Sequence, residues 1–276
     1  LELLSQSWRN MKTALADPKR DPFNGNLWRL GLLHWTEWQP LALHLVYAYE
    51  NARRLEQANR INTVVRRFEL FHRRAMAITL AGGGDKMRAS VIKRAIEQSE
   101  GMVSDKRKYD CMSLSRGAMA LKSHQKDRAR RNLQVGLEDR AGRSSLIKWV
   151  ESLTWPAESL PDYIRTGTVE HILPQTPAAD AKQWLSDFPN AEERLELCDS
   201  LGNLILIDSD SNRQAASRDF SEKLTVYRQM KQTFVMARDV AQSEVWRPQD
   251  IRQRDQHMRG FIEQQLQWES EVSEPV

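Results

Sequence analysis

The chain has 276 residues, enough for one large domain or two ordinary ones; 40% of them are hydrophobic and 28% are charged. No window approaches the roughly 18 consecutive apolar residues of a membrane span, and the first residues lack the basic start and apolar core of a secretory signal. This composition excludes a membrane protein, and we expect a cytoplasmic one. Because the chain begins with Leu1 rather than Met, we also expect it to be part of a longer protein.

The charges are distributed unevenly although the formal net charge is only +4. Residues 53–131 contain 20 Lys and Arg against 8 Asp and Glu, whereas residues 132–276 contain 16 against 24. A basic helical stretch is typical of a surface that follows nucleic acid, and it is equally typical of a solvated helix face. Cys111 and Cys198 have no metal-ligand spacing, so we expect both to be reduced and structural.

The first half of the sequence predicts helices. Residues 37–80 hold apolar side chains at helical spacing, and further helices are expected at 86–99, 113–123 and 144–153. Residues 154–167 contain two prolines and a glycine, which indicates a boundary. We therefore predict a basic helical region at 1–153 and a second domain at 154–276.

The second half opens with two short runs typical of strands, TVEHIL at 168–173 and NLILI at 203–207. Short helices are predicted between them, around 182–188 and 191–197. A polar, turn-forming stretch then leads into helices near 220–240 and 248–267. The predicted order is strand, insertion, strand, loop and helix.

Four polar residues on or beside these strands could carry chemistry: Glu170, His171, Asn203 and Asn212. The simplest interpretation is a structural acid–histidine pair with asparagines in turns and helix caps. The chemical interpretation is phosphodiester hydrolysis. A neutral His accepts a proton from water near pH 7, and carboxylate and amide oxygens suit a hard cation such as Mg²⁺.

The ordered set of VEHILPQ, Trp184, LGNLILI, Asn212, Phe220, Lys223 and Tyr227 resembles a known domain. It is similar to the C-terminal HNH-like (His-Me finger) nuclease domain of the GmrSD family of modification-dependent restriction enzymes, which phage-defence proteins such as SspE share. The resemblance covers roughly residues 160–270. It implies a mainly α fold, in which an N-terminal helical bundle precedes a ββα-metal (His-Me finger, HNH) module embedded in helices.

The resemblance also implies roles for individual residues. His171 would be the general base, and Asn203 would orient it or brace the hairpin. Glu170 and Asn212 would bind Mg²⁺ or Mn²⁺, although neighbours on a strand point to opposite faces, so Glu170 and His171 share one ion only if the strand ends or bends near Pro174. Two further residues are candidates for holding the phosphate, with ordinary exposed helix cations as the alternative: Arg218 and Lys223.

The expected function is divalent-metal-dependent DNA cleavage or nicking in the restriction of phage or modified DNA. An upstream ParB-like nucleotide-hydrolysing sensor domain is the partner that the resemblance implies. DNA backbone contacts are expected from the basic helical region, at Arg66, Arg67, Arg73 and Arg74. Two alternatives stay open: a non-catalytic helical DNA- or protein-binding module with a degenerate HNH hairpin, and an RNA-cleaving toxin that uses the same hairpin.

Overall fold

The computed structural model describes residues 2–16, 22–101, 112, 117–137 and 139–268. The described part is mainly helical with one small antiparallel sheet, so the prediction of a mainly α protein is confirmed. The chain divides into two compact units. The first comprises residues 1–131, 156–160 and 263–276, and the second comprises residues 132–155 and 161–262. Residues 132–153 belong to the second of these units, and the domain boundary at 153/154 stays a prediction.

The first unit is helical. Its helices are α1 (Glu2–Ala16), α2 (Pro22–Leu30), α3 (Gln39–Arg54), α4 (Ala58–Leu80), α5 (Asp85–Gly101) and most of α6 (Ser123–Val135). Apolar side chains of α2, α3 and α4 form its core, where Phe23 stacks on Tyr49 and meets Phe68 edge to face. The helix predicted at 113–123 differs from the structure, since residues 117–119 form a turn, residues 120–122 have no regular structure and 113–116 lie outside the described residues.

Among its described residues the second unit contains the two strands of the sheet and eight α-helices, besides the last turn of α6. In chain order these elements are α7 (Arg140–Leu153), α8 (Tyr163–Thr166), β1 (Thr168–His171), α9 (Lys182–Asp187), α10 (Ala191–Cys198), β2 (Leu204–Ile207), α11 (Ser209–Ala215), α12 (Phe220–Gln229), α13 (Val235–Val240) and α14 (Pro248–Leu266), which ends in the first unit. Strands β1 and β2 pair antiparallel, with His171 opposite Leu204 and Thr168 opposite Ile207.

Local chemistry explains where several of these helices begin. Asp139, Asn190 and Asp208 precede α7, α10 and α11, and each accepts hydrogen bonds from two backbone N–H groups of the first turn. Strand β2 is buried along its whole length. Large aromatic side chains pack in the core of this unit, among them Trp149, Trp184 and Phe220. The hairpin therefore packs against the apolar core of this unit.

Candidate functional site

His171 is the last residue of β1, and its imidazole is partly exposed, at 21% of the side-chain surface. Its Nε2 atom lies 2.9 Å from Oδ1 of Asp199. Asp199 follows the last residue of α10 and therefore reaches the end of β1 from the connection between the two strands. Burial lowers the pKa of His171, and the hydrogen bond to Asp199 opposes this shift.

Asp199 binds three side chains through the same oxygen. Arg143 of α7 donates to Oδ1 at 2.6 Å, and the amide of Gln175 donates to it at 3.2 Å, in addition to the contact with His171. Burial alone would raise the pKa of Asp199, but the hydrogen bond with His171 and the charge of Arg143 lower it below its usual value. Asp199 is therefore an ionised carboxylate with 42% of its side chain exposed.

Among the residues that the structure describes, His171, Cys198 and Asp199 form a group whose ligand atoms lie within 4.8 Å of one another. Cys198 contributes little to such a group. Its thiol is buried and donates to the carbonyl oxygen of Leu173 at 3.5 Å. Burial, together with the negative charge of Asp199, raises the pKa of Cys198 to about 12, so the sulfur stays protonated at neutral pH, whereas metals bind the thiolate.

Glu170 lies on the other face of β1 and is only 4% exposed. Its Oε1 atom accepts hydrogen bonds from Nζ of Lys223 at 2.6 Å and from the hydroxyl of Tyr227 at 2.9 Å, both on α12. Lys223 also donates to the main-chain oxygen of His171 at 2.7 Å. Burial raises the pKa of Glu170 and lowers that of Lys223, and the ion pair between them opposes both shifts.

Asn203 is fully buried and connects the ends of the hairpin. Its Oδ1 atom accepts from the N–H of Leu173 at 2.7 Å, and its Nδ2 donates to the carbonyl oxygens of Leu173 and Cys198 at 2.9 and 2.8 Å. The turn beside it is held by α14. Arg254 donates to the carbonyl oxygens of Leu201, Gly202 and Leu204. These contacts brace the backbone between Asp199 and β2.

Asn212 lies on α11 and is bound to the other end of β1. Its Nδ2 donates to Oγ1 of Thr168 at 2.9 Å and to the carbonyl oxygen of Val169 at 3.0 Å. With its amide nitrogen engaged by the strand, Asn212 can offer only its carbonyl oxygen as a ligand. The contact of Asn212 with Val169 therefore lies two residues before His171, which is roughly 7 Å along the strand.

The two residues expected to hold phosphate have different environments. Arg218 is exposed and precedes α12. Lys223 differs from expectation, because its side chain is 0% exposed and its ammonium is held by Glu170 and the main chain of His171. A phosphate in solvent cannot contact it in this arrangement.

The four arginines expected to contact the DNA backbone also lie in different environments. Arg66 is exposed, and Arg67 is half-buried. Arg73 and Arg74 differ from the expectation of a basic face, because their guanidinium groups donate to the last carbonyl oxygens of α14, at Gln265 and at Leu266. Arg74 is only 3% exposed. Helix ends leave carbonyl groups without intrahelical partners, and these two guanidinium groups satisfy them.

Residues 116–261, more than half of the chain, match the family described as GmrSD restriction endonucleases, C-terminal domain. The chain belongs to this family. Membership in the GmrSD family implies a restriction-endonuclease type of function, a nuclease activity that suggests DNA as substrate, and a need for a divalent metal. A search of curated proteins found no match. No helix within the described ranges has the length and apolar composition needed to cross a membrane.

The structure of this GmrSD-family chain thus brings together residues that the sequence motif did not. Asp199, Arg143 and Gln175 surround His171, and sequence reasoning missed the first two. Asp199 precedes the Leu-Gly-Asn turn by two residues, and this placement beside a motif is the signal that could have drawn attention to it. Arg143 lies on α7 and carries no such signal.

Proposed function

We propose that this chain hydrolyses phosphodiester bonds of DNA with Mg²⁺ or Mn²⁺, in the restriction of phage or modified DNA. The hairpin of β1 and β2 with α11 would be its ββα-metal (His-Me finger, HNH) module. The observation that carries the proposal is the partly exposed imidazole of His171, held by an ionised carboxylate at 2.9 Å. The ParB-like sensor domain stays a prediction from the resemblance.

His171 is suited to act as general base for two reasons. Burial lowers its pKa, so the imidazole is neutral at pH 7 and can accept a proton. Asp199 is an ionised acceptor beside Nε2, which favours the tautomer with the proton on that nitrogen. Nδ1 is then the basic nitrogen, and it would take the proton from the attacking water.

The donor atoms around His171 fit a hard divalent cation in part. The three side-chain contacts of Asp199 described above use Oδ1, so Oδ2 is the oxygen that we assign to the cation. Asn212 would supply a carbonyl oxygen. Glu170 fits less well, because its carboxylate is buried beside the ammonium of Lys223. A bound cation would neutralise charge on the scissile phosphate and on the leaving oxygen.

Plasmid cleavage tests the proposal. Supercoiled plasmid is incubated with the chain and Mg²⁺ or Mn²⁺, and conversion to nicked and linear forms is followed. We expect conversion that is abolished by EDTA and by His171→Ala and retained in His257→Ala, since His257 is an exposed histidine on α14. A wild-type chain that shifts DNA in a gel but leaves it intact would favour the non-catalytic binding module. Cleavage of RNA with intact DNA would favour the toxin.

A further inference from the structure

A buried ion pair lies under the hairpin, on the face of β1 opposite the imidazole of His171. It consists of Glu170 and Lys223, with the hydroxyl of Tyr227 as a second donor to the carboxylate. The three side chains are 4%, 0% and 4% exposed, respectively. Removing two charges from water is costly, and only good ion-pair geometry with further hydrogen bonds offsets that cost, so the placement of the pair here requires a reason.

The arrangement speaks against Glu170 as a cation ligand. Its Oε1 atom already accepts from an ammonium at 2.6 Å and from a phenol at 2.9 Å. A divalent cation on the same carboxylate would lie close to the positive charge of Lys223 with no solvent to screen the repulsion, whereas Asp199, which also pairs with an arginine, is 42% exposed. Mg²⁺ also keeps several water ligands, and a carboxylate this deeply buried leaves no room for them.

Lys223 connects this buried pair to His171 through the main chain. Its Nζ atom donates to the carbonyl oxygen of His171 at 2.7 Å, where β1 ends and the ladder with β2 stops. The next two residues are held by Asn203, which precedes β2, because Ile172 donates to its carbonyl oxygen and Leu173 to its side chain. Lys223 therefore satisfies the carbonyl group at the point where the strand leaves the sheet.

We propose that Lys223, neutralised by Glu170, is a positioning residue that fixes the main chain of His171 and thereby the direction of its imidazole, and that Glu170 is not a metal ligand. This inference rests on the proposed function, in which His171 is the general base. In this arrangement the charge of Glu170 neutralises Lys223, and Lys223 holds the main chain of the general base, His171. The carboxylate that serves the reaction is then that of Asp199.

The first test replaces the whole buried unit by apolar groups of similar volume. In the triple variant Glu170→Leu, Lys223→Met, Tyr227→Phe, no buried charge or hydroxyl is left unpaired, so the fold should be kept even though the carbonyl oxygen of His171 loses its donor. We expect a thermal midpoint near that of the wild type, a kcat at least tenfold lower and an unchanged KM. If the triple variant had both the kcat and the thermal midpoint of the wild type, the ion pair would be only structural and the proposal would be overturned.

The second test separates a counter-ion from a ligand and uses Glu170→Gln, which keeps an acceptor for Lys223. We expect its Mn²⁺ affinity, measured by electron paramagnetic resonance, to stay within about twofold of the wild type. Replacing the carboxylate by an amide weakens Mn²⁺ binding only if Glu170 is itself a ligand. Asp199→Asn is the matched control and should weaken Mn²⁺ binding about tenfold or more. A loss of affinity in Glu170→Gln as large as that in the control would overturn the proposal.

Two outcomes are independent of DNA cleavage. If the wild type does not cleave, the proposed function fails, yet the Mn²⁺ titration still decides whether Glu170 is a ligand. The positioning role is then read from the ¹⁵N resonances of the His171 imidazole. We expect them to move in the triple variant, since the ring loses its fixed direction toward Asp199. Resonances identical to those of the wild type would overturn the positioning role. Triple-variant protein that does not fold is replaced by the double variant Glu170→Gln, Lys223→Met, which leaves no buried charge unpaired and keeps an acceptor for Tyr227, with the same readout.

Discussion

Glu170 and His171 are consecutive in the chain, yet their side chains bind different partners on opposite faces of β1. Glu170 is buried against Lys223, whereas His171 contacts Asp199 at the surface. The alternation of a strand imposes this separation, because neighbouring side chains point to opposite sides. The motif thus supplies one residue to the surface and one residue to the core.

Asp199 is expected to be essential for cleavage. Asp199→Asn keeps the shape of the side chain but removes the charge that favours the Nε2–H tautomer of His171 and that, in the proposed function, would bind the cation. We expect cleavage to fall about 10- to 100-fold, as is common when a partner of a functional histidine is lost. The matched control is Asp239→Asn, which changes a carboxylate that is 64% exposed. Equal plasmid nicking rates in Asp199→Asn and the wild type would show that Asp199 has no role in cleavage.

Cys198 is expected to be dispensable for metal-dependent cleavage. Its pKa is raised to about 12, so the thiol is protonated and holds the carbonyl oxygen of Leu173 instead of a cation. Cys198→Ala should therefore retain Mg²⁺-dependent nicking within about twofold. The same plasmid assay checks this, and a tenfold loss with an unchanged thermal midpoint would make Cys198 a ligand.

Asn203 is expected to stabilise the second unit. Asn203→Ala removes three buried hydrogen bonds to the backbone and leaves groups of Leu173 and Cys198 without that partner. The free energy of unfolding should fall by about 2–4 kcal/mol in urea titrations. Asn59→Ala, at an exposed position of α4, should change it by less than about 0.5 kcal/mol. Similar losses in both variants would contradict the bracing role.

Arg66 and Arg74 should respond differently to substitution. Arg74→Ala removes the donor to the end of α14 and should lower the thermal midpoint of unfolding. Arg66→Ala should leave the midpoint unchanged, and if Arg66 contacts a phosphate, it should reduce the slope of log K for DNA against log salt by about 0.9. Fluorescence anisotropy at several salt concentrations measures this slope. An unchanged slope would show that Arg66 does not lie on the DNA.

His72 is expected to make stability depend on pH. Burial, with smaller contributions from Arg29 and Arg73, lowers its pKa well below that of the unfolded chain. At mildly acidic pH the unfolded state therefore binds more protons. The stability linked to His72 is fully present above about pH 6.5 and is lost as the pH falls. Thermal midpoints at pH 7.5 and 5.5 should differ less in His72→Leu than in the wild type, and His257→Gln should match the wild type.

The sequence by itself determined the elements around the site closely. Strand-like runs at 168–173 and 203–207 became Thr168–His171 and Leu204–Ile207, and the two short helices between them begin and end within one residue of the predicted ranges. Alternation, capping residues and Pro174 are local signals, so they can be read in one dimension. The long helix expected near 220–240 is broken into α12 and α13.

Only the tertiary structure decided which charges meet and which are buried. Asp199 reaches His171 across 28 residues, and Arg74 reaches Leu266 across 192. The sequence allows Lys223 to be an exposed helix cation, yet the structure buries it. Burial is possible because Glu170 and the carbonyl oxygen of His171 replace the water that the ammonium loses. Periodicity tells which face of an element is apolar. The partner that a charged group finds depends on folding of the whole unit, because burial and pairing are set by residues far apart in sequence.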